Sequence, residues 1–323
     1  MNTQLTSEAA IDAAADPGEI SGFWRRLGAL AIDVILIGLV GAGLGLVLYD
    51  TFARLGVWGR LVGFAIALAY FGIMNSKPCG GQTVGKRLVD IKVVGADGAT
   101  LPVHKSLLRF TVLGIPWFLN GAAFPPEFVS SPLMYLLSLG VFGLGLAIVY
   151  LYIFNRSTRQ SLHDLVVGSY VVRVPAEGAV APAPVWGVHK VVVGVVLVAA
   201  AVMPYFTMNF AANSELFASL MQAYKAVNAV PGVVVATVNK GETIGGGANS
   251  TYLQVTAYIA EPRVQDPALA KQLAKAALDA EPSYMELDVV QVVLARGFDI
   301  GIASAHTSMN YNDSPAGWAA DAR

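Results

Sequence analysis

Between Leu27 and Tyr49 the chain runs for 23 residues with one charged side chain, Asp33. A helix of that length crosses about 30 Å of hydrocarbon. Backbone inside lipid must satisfy its own hydrogen bonds, so such a run is held to helix. Four more stretches have the same character to different degrees. Leu61 to Met74 is short alone, and extending it to about 55–74 brings in Arg60, whose long side chain can reach the interface. The run 110–124 contains Pro116 and Gly121 and is expected to span, kink or re-enter. The runs 132–154 and 188–210 are uncharged apart from His189 and Lys190 at the entrance of the last.

Composition agrees with these runs. Of 323 residues 55% are hydrophobic and only 13% charged, against roughly 25% charged in a soluble protein. A purely soluble enzyme is excluded, and the bilayer is the first partner. A net charge of −1 gives no basic field for nucleic acid. The single cysteine, Cys79, excludes an intrachain disulfide, and the histidines at 104, 163, 189 and 306 are scattered. Neither a metal nor a cofactor is expected.

Lys and Arg positions give an expected orientation. Arg25 and Arg26 precede the first span; Lys77, Lys86, Arg87, Lys92, Lys105 and Arg109 lie between spans two and three; Arg156, Arg159, Arg173 and Lys190 lie between spans four and five. Placing these three regions in the cytoplasm requires the third run to cross or dip. It puts the N-terminus inside and residues 211–323 outside. Residues 1–21 read as an acidic mobile tail without the basic start of a cleavable signal. Pro and Ala dominate a linker at 175–187.

The loop Gly80-Gly81-Gln82-Thr83-Val84-Gly85-Lys86-Arg87 has the glycine spacing of a phosphate loop. Arg87 stands where that loop needs a magnesium-binding hydroxyl, so a structural turn with basic residues is expected instead. Asp90 to Val94 alternates as a strand, and Ser169 to Arg173 is strand-like. The C-terminal part, 211–323, reads as a helix at 214–229 capped by Ser214, strands at 233–238 and 252–260, a helix at 267–280, and strands at 289–295 and 298–304 turning at Arg296-Gly297. Leu253, Val255, Ala257 and Ile259 share one strand face. The expected fold is a helical membrane bundle of four to five spans plus a small α+β domain, with an antiparallel sheet and helices on one face. His306, near Ser304 and Ser308, reads as a surface histidine. No nucleophile, base or metal-ligand set converges, so the chain is not expected to be an enzyme.

Asp33 is the costly residue. An intramembrane carboxylate faces protein or water and carries a functional hypothesis by default. Arg26 lies two turns earlier on the same face, but helical side chains point toward the N-terminus, which turns it toward the headgroups. Arg109 or Arg60 is then the expected cationic partner of Asp33. The alternative is that Asp33 only anchors helix packing. Gly41 and Gly45 form a small-xxx-small pair for close helix approach, and glycines 140, 143 and 145 recur in the fourth span.

The segment Gly22-Phe23-Trp24-Arg25-Arg26-Leu27-Gly28-Ala29-Leu30-Ala31-Ile32-Asp33 resembles the opening of the RDD family of bacterial membrane proteins. That family is named for an arginine at the start of its first membrane helix and for two aspartates. Gly81 to Arg87, with Gly85 and Lys86, is similar to its central glycine–lysine loop. Gln160 to Gly168 is similar to the segment with its last aspartate, here Asp164. The resemblance covers about 20–174 and implies a multi-pass protein of the bacterial cytoplasmic membrane. It also implies transport, proton-coupled cation antiport included, with Asp33 as the exchangeable carboxylate and Arg26 and Asp164 shaping its field. It does not reach the fifth span or the C-terminal domain. The competing reading is a non-transporting scaffold or assembly factor that presents the outer domain. Its protein partner would be a second copy or another membrane protein. In that case Arg26, Asp33 and Asp164 form a fixed polar network.

Overall fold

The computed structural model describes residues 19–122, 128, 131–175, 178–180, 184–243 and 249–320. Most of the expected tail at 1–21, parts of the linker at 175–187 and the end of the 110–124 run lie outside the described residues. Among the described residues four helices are long and apolar enough to cross a membrane: Phe23–Val47, Tyr49–Met74, Leu133–Phe154 and Gly187–Phe210. Their outward side chains, such as Leu39, Leu46, Leu61, Leu136, Val195 and Val198, are more than half exposed, which is the surface lipid covers. Trp24, Trp58, Trp117 and Trp186 are also exposed. Trp24 and Trp186 stand at the starts of the first and last of these helices, as interface-anchoring tryptophans do.

The third run differs from expectation. The helix is Val103–Leu119, seven residues earlier than the 110–124 run, and it buries Ser106, Arg109, Phe110, Gly114 and Phe118. It is amphipathic, with one face against protein. Arg109 therefore sits inside the helix, about 9 Å from its start at 1.5 Å per residue, not at its mouth. The second span is also composite: a helix Tyr49–Leu55, a single 3-10 turn Gly56–Trp58, then Gly59–Met74.

Two loops of the membrane part join in one small sheet. Strand β1 (Ile91–Gly95) pairs antiparallel with β2 (Ser169–Arg173), and Ile20 bridges to Val172. Ile91, Val93, Val94, Val171 and Val172 are buried. The segment before the first span and the loops after the second and fourth are thereby fastened together on one side of the helices.

The chain divides into two compact units: Met1–Val40, Phe64–Asn120 and Leu137–Ala201 form one, and Gly41–Gly63, Gly121–Leu136 and Val202–Arg323 the other. In the first, the fourth and fifth spans meet where Gly143 comes close to Leu197 and Ala200. There Ser138 donates to the Ala200 carbonyl at 2.7 Å. Gly140 lies against Ile115 and Leu119 of the 103–119 helix, so these glycines serve packing inside the bundle.

In the second unit, helices Glu215–Asn228 and Pro267–Ala280 pack on a four-stranded sheet ordered β3 (Val233–Thr243), β4 (Ser250–Ile259), β5 (Val289–Asp299), β6 (Ser304–Asp313). Asp266 caps the second helix by accepting from Ala268 and Leu269 N–H, each at 3.0 Å. Its inner stripe is Leu269, Ala270, Leu273, Ala274, Ala277 and Leu278, and Leu253, Val255, Ala257 and Ile259 of β4 meet it as one buried face. The expected wholly antiparallel sheet is corrected: β4 and β5 run parallel, because the intervening helix carries the chain back over the sheet before β5 begins.

The β5–β6 turn is corrected as well. It lies after Asp299, and Gly297 is inside β5. A Cβ on Gly297 would stand 2.2 Å from the Ala305 carbonyl oxygen, so the glycine serves close strand approach. The hairpin end grips the segment around the start of the second span. Phe298 and Ile300 are buried against Phe52, with Leu44, Tyr49 and Ile302 beside them. Arg60 donates to Asp299 Oδ2 at 3.1 and 2.5 Å, and Arg296 to Asp50 at 2.5 Å. Gly41 and Gly45, expected to receive another helix, receive this hairpin: added Cβ atoms would lie 2.9 Å from Ile302 and 2.1 Å from Phe298.

Candidate functional site: two buried carboxylates

Asp33 is fully buried, ten residues into the first helix (Phe23–Val47). Three donors among the described residues hold it. Tyr70 Oη, from the second span, donates to Oδ1 at 2.7 Å. Thr83 Oγ1 donates to Oδ2 at 2.5 Å, and the Gly85 N–H donates to Oδ1 at 2.8 Å.

The loop sequence explains how those donors arrive. Gly80 and Gly81 take left-handed φ values of 67° and 75°, which glycine adopts freely. A Cβ on Gly81 would stand 2.4 Å from the Val93 carbonyl oxygen. There Gly81 O accepts from Val93 N–H at 2.9 Å, while Gln82 Nε2 donates to Ile91 O at 3.0 Å. Pinned to β1, the loop turns into the five-residue helix Val84–Leu88, with Thr83 as its cap. Gly85 then lies against the first span, where a Cβ would be 2.1 Å from the Ala29 carbonyl oxygen. The glycine–lysine loop thus aims its hydroxyl and N–H at the chain's own carboxylate.

Asp164, also fully buried, is held by cations. Arg109 donates to Oδ1 from Nε at 2.9 Å and Nη2 at 2.7 Å. Arg26 Nη2 donates to Oδ2 at 2.6 Å. Ser169 adds a hydroxyl to Oδ1 at 3.0 Å, and Ser161 N–H reaches Oδ2 at 3.3 Å, which closes the first turn of helix Leu162–Val167. Arg26 also donates to the Arg159 carbonyl and lies 5.4 Å from the Tyr152 ring centroid. Burial alone would raise the Asp164 carboxyl, but the charges of Arg109 and Arg26 hold it well below the usual carboxylate range. His163 beside it is pushed down to about 3, chiefly by burial, and its Nδ1 has no partner among the described residues. Two arginines against one carboxylate leave this cluster with net positive charge.

Several expectations change here. Arg26 does not turn to the headgroups; Asp164 is close enough to draw it inward. Arg109 pairs with Asp164, and Arg60 with Asp299, so neither is the partner of Asp33. Neutral donors take that place: Tyr70, Thr83 and Gly85. Lys86 lies within electrostatic range of both carboxylates. Desolvation pushes its ammonium down to about 7; Arg109 and Arg26 act in the same direction and Asp33 and Asp164 oppose it. Sequence reasoning missed Tyr70, Thr83, Ser161, Ser169 and Tyr152. Thr83 and Ser161 carried a signal, Thr83 as a capping residue ahead of a short helix and Ser161 as the start of a Ser-x-x-Asp capping box with Asp164.

The arrangement is rich in donors and poor in free acceptors. Asp33 faces a phenol, a hydroxyl and an N–H, whereas a cation would need further oxygens turned toward it. Among the described residues no three of His, Cys, Asp or Glu come together as metal ligands.

Residues 20–168 match the sequence model of the RDD family, which contains both carboxylates and the loop between them. An uncharacterized protein of Bacillus subtilis (strain 168), YckC, is 27% identical over 151 residues, covering 47% of this chain and 83% of that protein. No solved structure matches. The fifth span and the C-terminal domain extend beyond the family match.

Proposed function

We propose that this chain, an RDD-family membrane region with an added span and domain, is a non-enzymatic scaffold of the bacterial cytoplasmic membrane. Its N-terminus is cytoplasmic, and its C-terminal domain presents a protein-binding surface outside. The observation that carries this reading is how Asp33 is held: its three partners among the described residues are donors of the protein itself, one from the second span and two from the loop that follows it. A carboxylate so occupied fixes helix arrangement without an ion. The grip of the β5–β6 hairpin on residues 44–60 supports the same reading, since it fastens the C-terminal domain to that segment of its own chain. The basic residues in the three regions joined on one side of the helices support the orientation.

Proton-coupled cation antiport is the second reading. Lys86 favours it, as a basic group in the field of both carboxylates whose ammonium is pushed down to about 7 by desolvation. Proteoliposomes separate the two. The scaffold reading expects no sodium-, lithium- or potassium-driven proton movement above that of empty liposomes. Sodium-driven flux that disappears in Asp33→Asn at matched incorporation overturns it. A reporter fused after Arg323 and found in the cytoplasm overturns the orientation.

A further inference from the structure

We propose that Phe206, Phe210, Leu216 and Phe217 form an interfacial foot, immersed among the acyl chains of the leaflet from which the last span emerges. The span helix runs Gly187–Ala212, and no charged residue occurs between Lys190 and Glu215. Counting about 20 residues of hydrocarbon from Val191 brings the chain to the interface at about residue 210. Ser214 then caps a new helix, accepting from Phe217 N–H at 3.4 Å. The new helix enters the domain core through Ala223 and Val227, with Leu220 packed against it. Its first turn overhangs, with Leu216 53% and Phe217 38% exposed, facing Phe206 at 64% and Phe210 at 78%.

Together with Leu220 and Thr207 these residues line one open groove of about 570 Å³. In water such a contiguous apolar patch would be a liability. Beside a span it has an occupant already in place. Phe206 lies about 6 Å before Phe210 along the helix at 1.5 Å per residue, within the ~5–10 Å that interfacial helices insert. The patch is therefore continuous with the lipid-facing surface of the span, and Glu215 marks the headgroup level. The consequence is a second membrane contact for the domain, made by its own first helix.

Spin labels test this on the full-length chain in proteoliposomes. The background is Cys79→Ser, with a single cysteine introduced as Leu216→Cys or Phe217→Cys. Val198→Cys reports the lipid-exposed span, and Glu261→Cys the aqueous domain surface. Oxygen is the apolar collider and a nickel chelate the aqueous one. The expected result is an oxygen-to-nickel collision ratio at 216 and 217 close to that at 198 and several-fold above that at 261. A ratio matching position 261 overturns the proposal. Shielding from both colliders at both positions also overturns it and assigns the groove to a protein partner.

Discussion

Gly85→Ala sets two opposing effects against each other at one atom. In a free helix the change is favourable by about 1 kcal/mol. Here the new Cβ would stand 2.1 Å from the Ala29 carbonyl oxygen and 3.0 Å from Asp33 Cγ. The short helix must then withdraw by about 1 Å to reach an ordinary contact, and overpacking of this kind costs about 1–3 kcal/mol. Withdrawal also breaks the 2.8 Å bond from the Gly85 N–H to a buried carboxylate, and hydrogen bonds to charged groups contribute about 1.5–3 kcal/mol. The net expectation is destabilisation by about 2–5 kcal/mol. Equilibrium unfolding by SDS in mixed micelles measures it. Gly43→Ala is the control, because no atom lies within 4 Å of a Cβ built there and its effect should be within about 1 kcal/mol. A Gly85→Ala chain as stable as wild type would mean that helix propensity prevails and that the loop is not seated on the first span as described.

Asp164→Ala should be among the most damaging single changes in the membrane region. It leaves Arg26 and Arg109 buried without their carboxylate, a loss of about 3–5 kcal/mol for a broken buried pair. Monodisperse yield and SDS unfolding at wild-type levels would refute the shared role of the two arginines. Lys86 gives a pH signature. Its ammonium titrates at about 7 in the folded chain against an ordinary 10.5. Between those values the unfolded chain holds a proton that the folded chain lacks, so stability rises with pH across that window. Lys86→Met should therefore be more stable than wild type at and below pH 7, with the gap closing toward pH 10. Unfolding curves at fixed pH values measure the gap, and one that stays constant would place Lys86 outside the desolvated cluster.

The apolar runs were legible as spans because lipid imposes one requirement on every residue of a run. The 103–119 helix escaped that reading because half of its surface meets protein, so its buried residues, Arg109 included, are spaced rather than continuous. Gly41 and Gly45 mislead for a related reason. A missing Cβ admits any close neighbour, and the neighbour here is a β-hairpin from more than 250 residues later in the chain. The two aspartates show the limit most plainly. Sequence identified Asp33 as a buried charge in need of a partner and reached Asp164 through the family resemblance, but the partners follow from where the loops fold back. Gly81 and Gly85 let the 80–88 loop approach β1 and the first span, so a hydroxyl and an N–H reach Asp33 before any cation does. That leaves Arg109 and Arg26 to converge on Asp164. One carboxylate is thus held by neutral donors and the other by excess positive charge, with Lys86 in the field of both. A chain arranged in this way can alter its internal charge balance near neutral pH at Lys86 while both aspartates keep their partners, so pH sensitivity alone would not establish that Asp33 moves an ion.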